Sequence, residues 1–175
     1  MPPLPQTLQR LAVEIEGWIE LGAPERALNG LAPLLEHAAT RAIALALRVD
    51  ANVALGRHAE ALQDLEAIPQ LDHDREGLDL REAWCRKRTG DVAGAARCME
   101  RMLTRTPKSA IAHYNLGCYL ALLGEKRRAL DELALGCGLD PTLRKGLAGE
   151  VDLLSLRDEP DFRCLLPTER QDGGP

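Results

Sequence analysis

The sequence predicts an all-α protein: an α-solenoid of stacked antiparallel helix pairs wound as a right-handed superhelix. Three observations lead there. Hydrophobic residues make up 45% of the 175 positions but aromatics only 3%, so the core must be built from leucine and alanine. Both are good helix formers, and the β-branched residues that favour sheets are few. Second, the octets LGAPERAL (21–28), LGRHAEAL (55–62), TGDVAGAA (89–96) and LGEKRRAL (123–130) place Gly22, Gly56, Gly90 and Gly124 at successive intervals of 34. Third, an alanine follows five places after each glycine, as Ala27, Ala61, Ala95 and Ala129. A period of this length in one register is the mark of a repeat architecture.

If each unit is two antiparallel helices, its glycine belongs at the turn. There it takes the left-handed conformation that ends the first helix without a Cβ clash. The alanine faces the partner helix, where a small side chain lets two backbones approach. Helical spacing supports both sides of the last turn, with Ile111, Leu116, Leu120 and Leu123 before Gly124 and Ala129, Leu130, Leu133 and Cys137 after it. Thr40, Asp91 and Ser109 stand where helix N-caps are expected. Pro24 lies near the start of a second helix, Pro107 and Pro141 follow helix ends, and Pro69 stops its helix early.

The stretch AIAHYNLGCYLALLGEKRRALDELALGCGLDP, from Ala110 to Pro141, resembles a tetratricopeptide repeat, the 34-residue helix–turn–helix unit. The features that carry the resemblance are Asn115–Leu116–Gly117, Gly124, Ala129 and the closing Leu139–Asp140–Pro141. Earlier units depart from it: Glu14–Ile15, Arg48–Val49 and Glu82–Ala83 stand where the leucine–glycine pair would be. Trp18, Leu65, Ile68, Met99 and Met102 fill their apolar positions. The resemblance implies one domain over residues 1–166, with repeats at about 8–41, 42–75, 76–109 and 110–141. A helical cap over 142–166 closes the bare apolar end of the stack, as terminal segments of bacterial tetratricopeptide arrays do. Leu153, Leu154, Leu156, Phe162 and Leu165 are its expected covering residues, Asp158–Glu159–Pro160 opens its last helix, and 167–175 is an expected disordered tail.

Little chemistry is visible. The chain has no nucleophile elbow, phosphate-binding loop or zinc-protease motif, so it is expected to be no enzyme and to carry no cofactor. Asp72, His73, Asp74 and Glu76 in DHDRE read as turn and cap residues, and His113 and Cys118, five apart on one helix, make a poor ligand pair. Five cysteines with no C-x-x-C pair suit buried, reduced thiols in a cytoplasmic protein. There is no secretory signal pattern and no charge-free apolar run of membrane-spanning length.

A binding surface remains. In the tetratricopeptide family the first helices of successive repeats line a concave groove for an extended peptide or a partner's helix. The matching positions are Gln9, Ala12, Val13, Glu16, Ile19 and Glu20, then Ile43, Ala46, Leu47, Asp50, Val53 and Ala54. The third set is Leu80, Arg81, Trp84, Lys87 and Arg88, and the fourth Ile111, Tyr114, Asn115, Cys118, Ala121 and Leu122. The surface is acidic toward the N-terminus and basic in the middle, since residues 1–80 carry 6 basic and 13 acidic side chains and residues 81–108 carry 8 and 3. Trp84 and Tyr114 are its large aromatics, Asn115 suits a bound main chain, and Arg81, Lys87 and Arg88 suit carboxylates. The two-carboxylate clamp of co-chaperone relatives is not matched, because Ala12, Glu16, Leu80, Trp84 and Ile111 occupy its positions. The expected function is therefore a non-catalytic adaptor, chaperone-like, for a protein or peptide of unknown identity. Burial of the groove or an end face in a homo-oligomer is the alternative. Nucleic-acid binding through Arg81, Arg86, Lys87, Arg88, Arg97, Arg101 and Arg105 is a third, which the overall charge of −5 opposes.

Overall fold

The computed structural model describes residues 5–68 and 75–167. Among them, a positive φ occurs at four residues, and these are the repeat glycines: Gly22 at 74°, Gly56 at 71°, Gly90 at 90° and Gly124 at 79°. A Cβ built on any of the four would meet nothing within 4 Å. Conformation and not space therefore demands glycine, because an L side chain in this region costs about 1–2 kcal/mol. The turns close in one pattern. Gly22 N–H donates to Ile19 O at 3.0 Å and Ala23 N–H to Trp18 O at 2.8 Å, and the same two bonds recur at Gly56–Arg57 and Gly124–Glu125. This is the Schellman arrangement that satisfies the orphan carbonyls of a helix end.

All regular structure among the described residues is helical, and the chain divides into two units, residues 1–90 and 91–175. The division falls at Gly90–Asp91, inside the third 34-residue interval. Each unit has its own interior, and the alanines five places after the glycines are fully buried in both.

In the first unit, α1 (Gln6–Glu20) packs on α2 (Pro24–Gly30) and α3 (Ala32–Glu36), α4 (Arg41–Ala54) packs on α5 (His58–Ala67), and α6 (Arg75–Arg88) packs on α5. Ile15, Ala27, Leu31, Leu34 and Ala44 form one buried cluster, with Trp18 packed against it; Val49, Ala61, Leu65, Ile68 and Leu78 form a second. The segment after Gly22 is two helices instead of the expected one. Pro33 has no N–H to continue the ladder, and Leu31 N–H instead bonds Leu28 O at 3.4 Å, so the helix breaks and restarts. Thr40 is the N-cap residue of α4 as expected, but its side chain makes no capping hydrogen bond. It is fully buried, and its hydroxyl donates to Leu34 O at 2.7 Å and His37 O at 3.1 Å, closing the loop behind α4. Arg48 Nε donates to Asp64 Oδ2 at 2.8 Å, tying α4 to α5; that bond, and secondarily the carboxylate's charge, raises the Arg48 pKa against the effect of burial.

In the second unit, α7 (Val92–Arg105), α8 (Ala110–Leu122) and α9 (Lys126–Leu139) pack in sequence. Asp91 and Ser109 cap α7 and α8 as expected, accepting from Gly94 N–H at 2.8 Å and Ala112 N–H at 3.4 Å. The α8–α9 contact is close because each helix gives it a glycine: a Cβ at Gly117 would lie 2.6 Å from Leu133 Cγ, and one at Gly136 would lie 2.9 Å from Ala110 O. Leu116 and Leu120 are buried there, whereas Ile111 and Leu123, expected on the same face, are exposed. His113 bridges Glu132 Oε2 at 2.6 Å and Pro107 O at 3.0 Å, holding the start of α8 to α9.

Beyond Pro141 come a 3-10 turn (Pro141–Leu143), α10 (Arg144–Leu147), a 3-10 segment (Val151–Leu156) and α11 (Pro160–Leu165). Leu153, Leu156 and Phe162 are buried and Leu165 half-buried, but Leu154 is 56% exposed. Three residues per 3-10 turn align positions 153 and 156 and point 154 outward. Pro69, Asp72, His73, Asp74 and residues 168–175 lie outside the described residues.

Candidate functional site

In the first unit a groove of about 280 Å³ opens between α1, α4 and α6. Its floor is Ala12, Ala46, Leu47 and Leu78, its rim Val13 and Ile43, and its charges are Glu16, Asp50 and Arg81. The 34-residue register explains the meeting: Ala12 and Ala46 are equivalent, as are Val13, Leu47 and Arg81, and Glu16 and Asp50. Small residues at the first position bring the helices together, and β-branched Val13 and Ile43 stand up at the edge. Val13 is 68% and Ile43 47% exposed. Both side chains line the groove, so its rim is aliphatic. Leu78 was not among the groove positions read from the sequence. Its signal is the three-residue spacing from Arg81, which puts both on one face of α6.

Arg81 is engaged within the chain and does not stand open for a partner's carboxylate. Its guanidinium forms a two-pronged contact with Asp50, Nε to Oδ1 and Nη2 to Oδ2 at 3.2 Å, linking α6 to α4. Further along α6, Leu80 and Lys87 are half-buried and Trp84 is 44% exposed. The Lys87 ammonium lies 5.4 Å and the Arg88 guanidinium 5.9 Å from the Trp84 ring centroid, within cation–π range. Cys85, which joins Leu78 in the buried cluster of this unit, is fully buried, and desolvation pushes its thiol pKa up to about 11.

In the second unit the equivalent positions of α8 are mostly closed. Cys118 and Ala121, expected on the groove, are 3% exposed. The 3-10 segment Val151–Leu156 packs against α8, and Ser155 Oγ donates to Ala121 O at 3.3 Å. A Cβ on Gly146 would lie 3.2 Å from the Tyr114 hydroxyl, and burial pushes that hydroxyl's pKa upward. The chain's own C-terminal segment thus covers this face, and Cys118 serves packing. Asn115 is half-buried, while Ile111 and Leu122 remain exposed. Among the described residues, no group of three or more His, Cys, Asp or Glu side chains could hold a metal ion, and no helix is long and apolar enough to cross a membrane.

No protein-family model and no curated protein matches this chain. Among solved structures, residues 41 to the end of MamA from Desulfovibrio magneticus RS-1 superpose with a TM-score of 0.74 at 17% identity, covering 90% of this chain and 88% of that one. An RS-1 MamA double mutant named ArsTM gives 0.69 at 16% identity, covering 90% and 93%. The shared fold is a helical solenoid of the tetratricopeptide type. At this identity the likeness speaks for the fold alone.

Proposed function

We propose that the protein is a non-catalytic interaction scaffold or adaptor that holds a peptide or partner helix on the first-helix face of its helix pairs. The observation that carries this reading is the open groove of the first unit, where Val13 and Ile43 stand exposed over an aliphatic floor. Burying the exposed parts of Val13 and Ile43 under a bound segment supplies a favourable hydrophobic contribution to a complex. Trp84, with Lys87 and Arg88 against its ring, is proposed as a second contact zone on α6, and Leu80 flanks it. On α8 the proposed contacts reduce to Ile111, Tyr114 and Asn115. Cytoplasmic residence and a chaperone-like role belong to the same proposal.

The test is a displayed-peptide selection on the whole protein and on Val13→Asp and Ile43→Asp variants. Peptides enriched by the native protein and lost on both variants support the groove. Equal enrichment on all three would contradict it. One observation favours self-association as a second reading: Leu135 and Leu139 on α9 are 52% and 44% exposed beside Ala134 and Gly138. A Leu135→Asp variant that sediments as a smaller species than the native protein would support that reading.

A further inference from the structure

Resting on the groove reading above, we infer that the first-unit groove takes a basic amphipathic segment: one whose aliphatic stripe covers Val13 and Ile43 and whose lysine or arginine meets Glu16. Three charged side chains line the groove. Two of them cancel, because Arg81 takes both carboxylate oxygens of Asp50. Glu16 is the third. It is exposed, and among the described residues it has no hydrogen-bond or ion-pair partner. Glu20, one turn further along α1 and also exposed, adds a second negative charge on the same face. The lining is therefore apolar with uncompensated negative charge at one side.

That combination discriminates among occupants. An acidic segment is repelled from Glu16. A wholly apolar segment draws water away from the Glu16 carboxylate and returns no partner, which costs part of that group's solvation. A lysine or arginine instead lays its aliphatic stem along Val13 and delivers its charge to the carboxylate. Residues 168–175, TERQDGGP, contain Arg170 but have no aliphatic side chain and a net charge of −1, so this stretch lacks the apolar stripe and is not basic.

The experiment uses the full chain and three fluorescein-labelled helical peptides sharing one leucine–alanine stripe, flanked by lysine and arginine, by glutamate, or by glutamine. Fluorescence anisotropy measures each Kd. The basic peptide is expected to bind most tightly. Glu16→Lys is expected to weaken it about tenfold or more, through like-charge juxtaposition, with helicity unchanged. Glu16→Gln is expected to weaken it only about two- to fivefold, as for an exposed ion pair. Tighter or equal binding of the glutamate or glutamine peptide, abolished by Val13→Asp, would overturn the basic occupant and leave the groove standing. Failure of all three peptides, with Val13→Asp altering nothing, would overturn both the basic occupant and the groove. Self-association of the native chain that Val13→Asp abolishes would assign the groove to a second copy and overturn the inference.

Discussion

Positions 16 and 118 are the same place in the 34-residue register, three intervals apart, yet one is open and the other closed. Glu16 is exposed at the side of a groove in the first unit; Cys118 is buried in the second, on the helix that Val151–Leu156 packs against. Both first helices end in the same glycine turn and pack against a helix carrying the same alanine. The repeat therefore dictates how a helix is built and which neighbour it meets. Whether its remaining face is a binding surface or an interior depends on what comes after it in the chain. Residues 141–165 follow α8 and pack on the second unit; the groove of the first unit has kept its opening.

The largest expected effect comes from uncovering the closed face. Leu156 is fully buried on the segment packed against α8, so Leu156→Ala is expected to lose about 2–5 kcal/mol in denaturant unfolding. The same variant should make Cys118 reactive to a thiol reagent, which would turn the second unit's face into a likeness of the first. A pH titration comes next. Cys85 in the first unit has its pKa raised from 9.0 to about 11 by burial, so the thiol is neutral when folded and ionises more readily when unfolded. Its contribution is fully present below pH 9 and is lost as pH rises toward 11. The stability gap between the native protein and Cys85→Ala should shrink by about 2 kcal/mol across that window, followed by thermal unfolding. A gap independent of pH would contradict the burial assigned to this thiol.

Alanine at the turn glycines tests what the two units have in common. Gly56→Ala and Gly124→Ala should each cost about 1–2 kcal/mol, one in each unit, because both residues need a positive φ. Unequal losses would break the claim that one turn device serves both. The smallest effect on stability is expected at Trp84, whose half-exposed ring leaves Trp84→Ala within about 0.5 kcal/mol of the native protein by circular dichroism melting. Capture of a selected partner should nevertheless weaken. Lost helicity would make Trp84 a core residue instead.

The turns were legible in the sequence because glycine at a helix end answers to a local rule, and the alanines because a helix contact has a fixed spacing. Apart from Leu78, the residues lining the first-unit groove are positions that the tetratricopeptide resemblance implied. What sequence reasoning missed depends on partners distant along the chain. Thr40 stands at the N-cap of α4 as read, but the carbonyls of Leu34 and His37 claim the hydroxyl that would have capped the helix. Arg81 is a groove cation by spacing, yet its charge is spent on Asp50, 31 residues earlier. Cys118 is interior on a helix that the distant segment Val151–Leu156 packs against, and Leu154 misled because that segment winds as a 3-10 helix. Pro33 was not read as a breaker, and nothing local says that the helix resumes at once.

The central claim is that one register position is open in the first unit and closed in the second, and cysteine labelling tests it directly. A Glu16→Cys variant carries thiols at both positions, and Cys164, which is exposed, serves as an internal standard. Brief alkylation of the folded protein followed by peptide mapping should label position 16 as fast as Cys164 and leave Cys118 unmodified. Labelling of Cys118 at the rate of position 16, or protection of both, would contradict the account.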